Sequence, residues 1–394
     1  MAKVDPVCGM KVSDDTELKL THKGKTYYFC SRHCLEKYAR EKGISLEVGS
    51  VEKCPSCSSK NNSFLKNKVF IVSAVIALLV GMSYLMPFLG PFRIHLFMYF
   101  KMIWWAVILG LLFGGVIDAF VPSEYISKVL ARKKKRTIIY SVLLGFLMST
   151  CSHGILAISI QLYKKGASTP AVVSFLLASP WANFTLTVML VSFFGLKALY
   201  IIFLTIIVAI ITGYVFQYLE HKKLVESNPN TLEVDDNYSI IRDARNKLSS
   251  YRFSIAQLKK DVKNIFVGTL SLSNMVLWWI LIGIGLASLS GAYIPSHIFH
   301  RFMGPSVLGI FVTLALATVL EVCSEGTAPL AFEIYRQTKA LGNSFVFLMG
   351  GVVTDYTEIG LLWANIGRKT AIWLPLVTVP QTVIIGIFLN LLIR

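Results

Sequence analysis

Charged residues are scarce in this 394-residue chain: only 15% of its residues are Asp, Glu, Lys or Arg, while 54% are hydrophobic. A soluble enzyme carries about 25% charged residues, so the composition argues against that class. Several apolar runs instead approach the roughly 20 residues that cross a bilayer. These runs are Val69 to Leu89, Ala198 to Leu219, Val276 to Ile294 and Ala371 to Ile393. The chain is therefore predicted to be an all-α polytopic membrane protein.

Motifs for nucleotide-driven transport are absent from the sequence. The segment GRKT at 367 to 370 lacks the Gly-Lys-Ser/Thr ending of a Walker A loop. The DKTG phosphorylation motif of P-type pumps is missing as well. We therefore predict no nucleotide cofactor and no catalytic residue, and we expect transport energy to come from a gradient or from release of a thiol complex.

Acidic residues are outnumbered, with 22 Asp and Glu against 39 Lys and Arg, which gives a net charge of +17. The basic residues lie mainly between apolar runs, as in RKKKR at 132 to 136 and in the polar segment 220 to 263. This pattern is typical of cytoplasmic loops of membrane proteins. No aromatic-interleaved basic patch accompanies the charge, so no nucleic-acid partner is predicted.

The first residues, MAKVDPVCGM, lack the basic n-region and apolar core of a signal peptide. We therefore expect residues 1 to 65 to stay in the cytoplasm, with the membrane region in the bacterial inner membrane. Thiols in a reducing compartment are metal ligands more readily than disulfides. Five of the seven cysteines lie in this part, namely Cys8, Cys30, Cys34, Cys54 and Cys57.

The first three of these cysteines lie in DPVCGMKV at 5 to 12 and KGKTYYFCSRHCLEKY at 23 to 38. About 60 residues bury too little core to fold securely without a staple such as a bound metal. The pattern resembles the YHS/TRASH family of small metal-binding domains over residues 3 to 46, which implies an α+β domain holding Zn or Cu. The CPSC motif adds two thiols at C-x2-C spacing. A four-sulfur site, a structural Zn site and a site for metal delivery or sensing all remain open.

The membrane region contains an internal repeat. WWAVILGLL from Trp104 matches WWILIGIGL from Trp278, and CSHG from Cys151 matches CSEG from Cys323, at offsets of 174 and 172 residues. Matched landmarks in one order predict two related halves. Keeping every basic segment on one face requires three crossings per half, so we predict inverted halves, each with a re-entrant hairpin that breaks at the CSxG motif. In the second half, Gly326 and Pro329 are predicted to interrupt the hairpin. The predicted domains are 1–65, 66–219, 220–263 as a cytoplasmic linker, and 264–394.

Ionisable residues at these breaks form the candidate transport site. The stretch EVCSEGTAP places Glu321, Cys323 and Glu325 in an apolar run, where charge is costly and usually marks a pathway. In the alignment of the two repeats, Cys151 corresponds to Cys323 and His153 corresponds to Glu325. Two thiolates suit Cu(I), and thiolates with imidazole or carboxylate suit Zn(II). The predicted transport-site ligands are Cys151, Cys323, His153 and Glu325, with packing as small core residues as the alternative for the cysteines.

A second break is predicted in each half, at ASPWANF from 178 to 184 and at GGVVTDYTE from 350 to 358. Metal binding releases thiol protons, and a buried carboxylate can hold them. The predicted proton and polar relay consists of Glu321, Asp355, Glu358 and Asn183. Hydrogen bonding between helices is the alternative for Asn183.

The doubled CSxG motif, the EVCSEGTAP stretch and the ASP and TD breaks resemble the ArsP-type permease family across residues 70 to 394. The resemblance implies an efflux permease for Cu(I) or Zn(II), or for As(III) and trivalent organoarsenicals. Cys151 and Cys323 are the residues to which it assigns a site role most directly. The expected partners are the metal or metalloid cargo, the lipid bilayer and a cytoplasmic metal donor. A membrane thiol oxidoreductase and a metal sensor remain open as functions of another class.

Overall fold

The computed structural model divides the chain into two compact units, Met1–Asn62 and Ser63–Arg394. The structure describes residues 3–4, 11–12, 19–22, 25–28, 38, 67–120, 130, 136–145, 152–164, 166–229, 255–320 and 323–392.

The first unit contains two antiparallel hairpins. Strands β1 (Lys3–Val4) and β2 (Lys11–Val12) pair in one sheet, and β3 (Lys19–His22) and β4 (Lys25–Tyr28) pair in the other. The Tyr27 ring of β4 packs against Tyr38, with ring centroids 5.0 Å apart. The five cysteines of this unit lie outside the described residues, so its metal site stays a prediction.

The described part of the second unit is helical. Its helices are α1 (Lys68–Leu85), a 3-10 turn (Pro87–Leu89), α2 (Gly90–Phe120), α3 (Arg136–Gly145), α4 (Ser152–Lys164), α5 (Thr169–Ala182), α6 (Phe184–Phe194), α7 (Lys197–His221), α8 (Ile255–Tyr293), α9 (Ser296–Met303), α10 (Val307–Val319), α11 (Ser324–Thr338), α12 (Leu341–Val353), α13 (Tyr356–Asn365) and α14 (Arg368–Leu392).

Within the described chain, six helical stretches are long and apolar enough to cross a membrane. They are α1, most of α2, α7, most of α8, α12 with α13, and α14. The pair α5 and α6 is a further apolar span with a 47° bend. Large apolar side chains cover the outside of the bundle; Leu78, Phe203 and Ile384 are 64%, 62% and 65% exposed. Such a surface is costly in water and suits a bilayer, so the predicted class is confirmed.

Each half runs through the same order of elements. Long helices α2 and α8 open the halves, hairpins α3–α4 and α10–α11 follow, then the broken pairs α5–α6 and α12–α13, and finally α7 and α14. The hairpin helices α4 and α11 begin 172 residues apart, at Ser152 and Ser324. The residues that cap the second helix of each broken pair, Asn183 and Asp355, have the same offset. The predicted duplication is therefore confirmed.

Both hairpins return to the face by which they entered. Asn343, at the start of α12, donates a hydrogen bond to the carbonyl of Gly304, just before α10, at 3.2 Å. In the first half the Ser168 amide, just before α5, donates to the carbonyl of Leu130, before α3, at 3.3 Å. Helix α11 has 15 residues, about 22 Å, which is less than the hydrocarbon thickness of about 30 Å. The hairpins are re-entrant, as predicted.

Hydrogen bonds at the helix ends show that the halves are inverted. On one face, named here the linker face, the Thr169 hydroxyl of α5 donates to the Glu226 carbonyl, and the Glu226 carboxylate accepts from the Lys369 amide at the start of α14. Helix α14 runs 25 residues to the opposite face, named the far face. There Asn390 donates to Asn343 at the start of α12. The equivalent helices α5 and α12 thus begin on opposite faces.

The exact positions of the breaks differ from expectation. Gly326 and Pro329, which are expected to interrupt the second hairpin, lie inside α11, and the interruption comes before Ser324. A Cβ atom on Gly283 of α8 would collide with the backbone of Gly326, so the two helix backbones touch at this point. This tertiary contact stabilises α11 at Gly326, where Gly326 and Pro329 by themselves predict a break. Helix α8 begins at Ile255, so it extends into the segment predicted as linker.

Candidate functional site

The tip of the second hairpin places a thiol and a carboxylate at the start of α11. Cys323 occupies the N-cap position of that helix, and Ser324 and Glu325 lie in its first turn. Each of the three residues is only 1% exposed. The break that precedes α11 releases these side chains from a continuous helix and directs them into the protein interior.

The Glu325 carboxylate collects three donors. Its Oε2 accepts from the Cys323 thiol at 2.7 Å and from the Ser324 hydroxyl at 2.9 Å. Its Oε1 accepts from the Asn183 side-chain amide at 3.1 Å. The carboxylate also lies in the first turn of α11, where the helix dipole favours negative charge. A thiol beside a buried oxygen acceptor can pass its proton over that contact when a metal or metalloid binds the sulfur.

Asn183 brings this donor from the other half of the molecule. Its side-chain oxygen caps α6 by accepting from the Leu186 amide at 2.6 Å. Its amide nitrogen donates to the Pro180 carbonyl and to Glu325, both at 3.1 Å. Because its amide group bonds on both sides, its orientation is fixed. The break of the first half therefore meets the hairpin tip of the second half at one point.

The second break has surroundings equivalent to those of the first. Asp355 caps α13, and its carboxylate accepts from the amides of Thr357 and Glu358 at 2.8 and 3.0 Å. The Thr354 and Thr318 hydroxyl groups are 2.8 Å apart and join the ends of α12 and α10. Helix α4 contacts α13, just as α11 contacts α6. Each hairpin helix thus lies against the broken pair of the opposite half.

Comparison with known proteins agrees with this architecture. A family model named ArsP_1, described as a predicted permease, matches residues 92–391, which is most of the chain. The chain belongs to this permease family. A YHS domain model matches residues 3–42, which confirms the resemblance of the N-terminal unit.

Two curated relatives align with most of the permease. It is 22% identical over 267 residues to the UPF0718 protein YcgR of Bacillus subtilis (strain 168), covering 67% of this chain and 84% of that protein. It is 21% identical over 259 residues to a putative two-component membrane permease complex subunit of Streptococcus mutans serotype c (strain ATCC 700610 / UA159), covering 65% and 80%. No solved structure matches it significantly.

Several predicted ligands of the permease lie where the structure gives no side-chain geometry. Cys151 and Glu321 fall outside the described residues, and His153 lies in α4 with only its backbone described. Among the described residues there is no group of three or more His, Cys, Asp or Glu side chains arranged to hold a metal ion. The convergence of Cys151 with Cys323 therefore stays a prediction, and the observed core of the site is the Cys323–Glu325 pair.

The predicted relay residues fall into two groups. Asn183 contacts the Cys323–Glu325 pair directly. The Asp355 carboxylate accepts hydrogen bonds from the first turn of α13, and Glu358 is buried in that same turn. A relay role for these residues stays a prediction, and the helix-to-helix hydrogen bond expected as the alternative for Asn183 is present.

One buried carboxylate of the permease, near the far end of the second hairpin, was not predicted as a site residue from the sequence. Glu333 of α11 is 1% exposed and accepts from Arg336 and Gln337 of the same helix and from the Tyr99 hydroxyl of α2. The spacing of Glu333 and Arg336, three residues apart in an apolar environment, was the available signal. The partner Tyr99 is 234 residues away in sequence, and no local pattern indicates it.

Proposed function

We propose that this permease exports a soft, thiophilic metal ion, Cu(I) or Zn(II), by secondary active transport with proton exchange. The observation that carries the proposal is the 2.7 Å contact between the Cys323 thiol and the Glu325 carboxylate at a buried helix break. A thiol in a membrane interior needs no carboxylate for packing. Placing the two groups in contact provides both a ligand for a soft ion and an acceptor for the displaced proton.

The proton balance of cargo binding follows from this pair. When the metal binds Cys323, the S–H bond breaks, the sulfur becomes a thiolate ligand, and the proton moves to Glu325. Release of the metal to the other side reverses the transfer. Asn183 keeps the carboxylate beside the thiol, and Glu321, Asp355 and Glu358 are proposed to carry protons between the site and the two faces.

The inverted repeat supplies candidates for the remaining ligands. Cys151 and His153 occupy the positions of Cys323 and Glu325 in the first hairpin, and α4 lies against α13 as α11 lies against α6. Two thiolates from the two hairpins suit Cu(I), and addition of an imidazole or carboxylate suits Zn(II). We propose that Cys151 and Cys323 hold Cu(I) while Glu325 keeps the proton. For Zn(II), His153 and Glu325 complete the ligand set once Glu325 has passed its proton on.

The N-terminal unit is proposed to load the transport site. A YHS-like unit with Cys8, Cys30 and Cys34, followed by Cys54 and Cys57, offers thiols for Zn or Cu on the side of the membrane where the basic linker lies. We assign the linker face to the cytoplasm because the basic segments concentrate there. A cytoplasmic metal donor would pass its ion to this unit, and the permease would carry the ion to the far face.

Uptake into everted membrane vesicles tests the proposal. Vesicles containing the permease should accumulate Cu(I) or Zn(II), and C323S should abolish the accumulation. S290A is the matched control, because Ser290 is a partly buried membrane serine that bonds only to its own helix. Accumulation of methylarsenite or As(III) in place of both metals would reassign the cargo. An unchanged uptake rate in C323S would refute a transport site at this thiol, and loss of quinone-linked thiol oxidation with unchanged uptake would indicate an oxidoreductase.

A further inference from the structure

A second polar cluster lies on α11, eight residues beyond Glu325 and therefore about 12 Å along the helix. Glu333 accepts hydrogen bonds from Arg336 Nε at 2.8 Å and from Arg336 Nη2 at 2.7 Å. It also accepts one from the Tyr99 hydroxyl. The Arg336 guanidinium reaches His95 Nε2 of α2 at 3.3 Å. We name Tyr99, Glu333 and Arg336 the far-face cluster. It connects the hairpin helix of the second half to the first helix of the other half.

The surroundings of the cluster leave no space beside the carboxylate. A Cβ atom on Gly291 of α8 would lie 2.7 Å from Glu333 Oε1, so a larger residue there would displace the carboxylate from its present position. On the other side, Phe193 and Phe332 stack with ring centroids 5.0 Å apart, and Tyr99 meets both rings edge-on. The far-face end of α11 therefore packs tightly against both α2 and α8 at Glu333.

The equivalent end of the first hairpin has a different arrangement. The position that corresponds to Glu333 is Gln161 of α4, which is exposed, and Lys164, the counterpart of Arg336, is exposed too. Helix α11 packs extensively along α8, whereas α4 packs on α5 and, within the described chain, makes no comparable contact with α2. Inverted repeats that adopt different arrangements leave one face closed and the other less closed, which is the basis of alternating access.

We propose that the far-face cluster is a latch that keeps the path from the Cys323–Glu325 pair to the far face closed, and that its release opens this path for cargo. Glu333 is a positioning residue in this proposal, since it holds α11 and does not touch the cargo at Glu325. The proposal rests on the proposed function only in taking Cys323 and Glu325 as the cargo site.

Thiol labelling tests the latch independently of transport. In a chain with Cys323 as its only cysteine, reconstituted in liposomes, an impermeant methanethiosulfonate reagent is applied from the far face. A separate chain with cysteine only at position 196 reports orientation, because Leu196 is 81% exposed between α6 and α7 on that face. E333Q and Y99F each remove a hydrogen bond to a charged group and should raise the Cys323 labelling rate roughly tenfold.

A control variant separates release of the latch from general loosening of the helix end. T338V replaces a buried hydroxyl at the same end of α11 that bonds only to neighbouring backbone, so it should leave the labelling rate unchanged. If E333Q does not fold, Y99F alone decides the matter, since it loses only one oxygen atom.

The possible outcomes distinguish the latch from the proposed function. Labelling of Cys323 at the original rate in folded Y99F would overturn the latch, and so would an equal increase in T338V. Uptake measured separately in the chain with all its cysteines decides the cargo. If C323S transports normally while Y99F speeds labelling, the proposed cargo site fails, and the far-face cluster still controls access from the far face to Cys323.

Discussion

The side-chain amide of Asn183 lies 3.1 Å from the Glu325 carboxylate, and this hydrogen bond joins the two halves of the permease. Asn183 caps the second helix of a broken span, and Glu325 opens the returning helix of a hairpin. The helix breaks of the two halves therefore meet at this hydrogen bond. The contact therefore lies where a movement of one half against the other would separate the amide from the carboxylate.

Substitutions of Asn183 can separate its capping role from its donor role. Asp, Asn and Ser cap helices about equally well, so N183D and N183S should both retain the α6 cap. N183D places a second carboxylate beside Glu325 and should lower uptake about tenfold or more, while N183S should have a smaller effect. Metal uptake and thermal unfolding in detergent measure the two properties. Equal uptake in N183D and wild type would show that donation to Glu325 is unimportant.

Replacement of Glu325 by Gln should change the pH dependence of transport. E325Q removes the proposed proton acceptor but keeps the size of the side chain, so metal uptake should become slower and nearly independent of pH. The uptake rate is measured across the pH range in which the wild-type rate varies. A profile that keeps its wild-type shape in E325Q would exclude this carboxylate from proton exchange.

Glycine substitutions on α8 test the close contact with α11. G283A should lower stability by about 1 to 3 kcal/mol, because a methyl group would push the backbone of Gly326 away. G285A is the matched control on the same helix, because a Cβ atom there meets no other atom within 4 Å. G285A should be neutral, or stabilising by up to about 1 kcal/mol through helix propensity. Thermal unfolding measures the difference in stability between the two variants. Equal unfolding midpoints would contradict tight packing of α8 against α11 at Gly283.

Glu226 should give the linker face a pH-dependent contribution to stability. Partial burial raises the pKa of its carboxyl, but hydrogen bonds from Lys369 and Thr370 outweigh this effect, so the pKa lies below its ordinary value. A depressed pKa stabilises the fold above the unfolded-state value of about 4.3 and loses that contribution as the pH falls through the folded-state value. E226Q should therefore lower the unfolding midpoint at neutral pH, and the difference should shrink in acid.

The exposed neighbour Ser227 provides the control for this experiment. S227A should match the wild type at every pH, because its hydroxyl group lies on the surface. A difference between E226Q and wild type that stays constant into acid would show that the charge on Glu226 does not stabilise the start of α14.

Deletion of the N-terminal unit should leave a working permease. Residues 1 to 62 form a compact unit of their own, so the remaining chain keeps all the membrane contacts described here. We expect the truncated chain to insert and to transport at a reduced rate, most clearly at low metal concentration where loading limits uptake. Complete loss of uptake by a correctly inserted truncation would show that the unit is essential to the transport cycle.

Part of the site could be predicted from local sequence alone. The repeat aligned Cys323 and Glu325 with Cys151 and His153 in sequence, and their convergence stays a prediction. The two second breaks are found at Asn183 and Asp355 as expected. The prediction that Gly326 and Pro329 interrupt the hairpin was wrong, because α11 continues through both residues and its backbone packs against α8 at Gly326. The partners of Glu325 and Glu333 could not be predicted, since they lie 142 and 234 residues away.

The sequence by itself determined the membrane class, the duplicated order of helices and the presence of thiols and carboxylates at helix breaks. These features follow from hydropathy, charge placement and repeated motifs, which are local properties of the chain. Only the tertiary structure decided that Gly326 and Pro329 lie inside α11, that Asn183 contacts Glu325, and that Tyr99 contacts Glu333. Such pairings depend on how the inverted halves pack against one another, and no local sequence pattern encodes that packing.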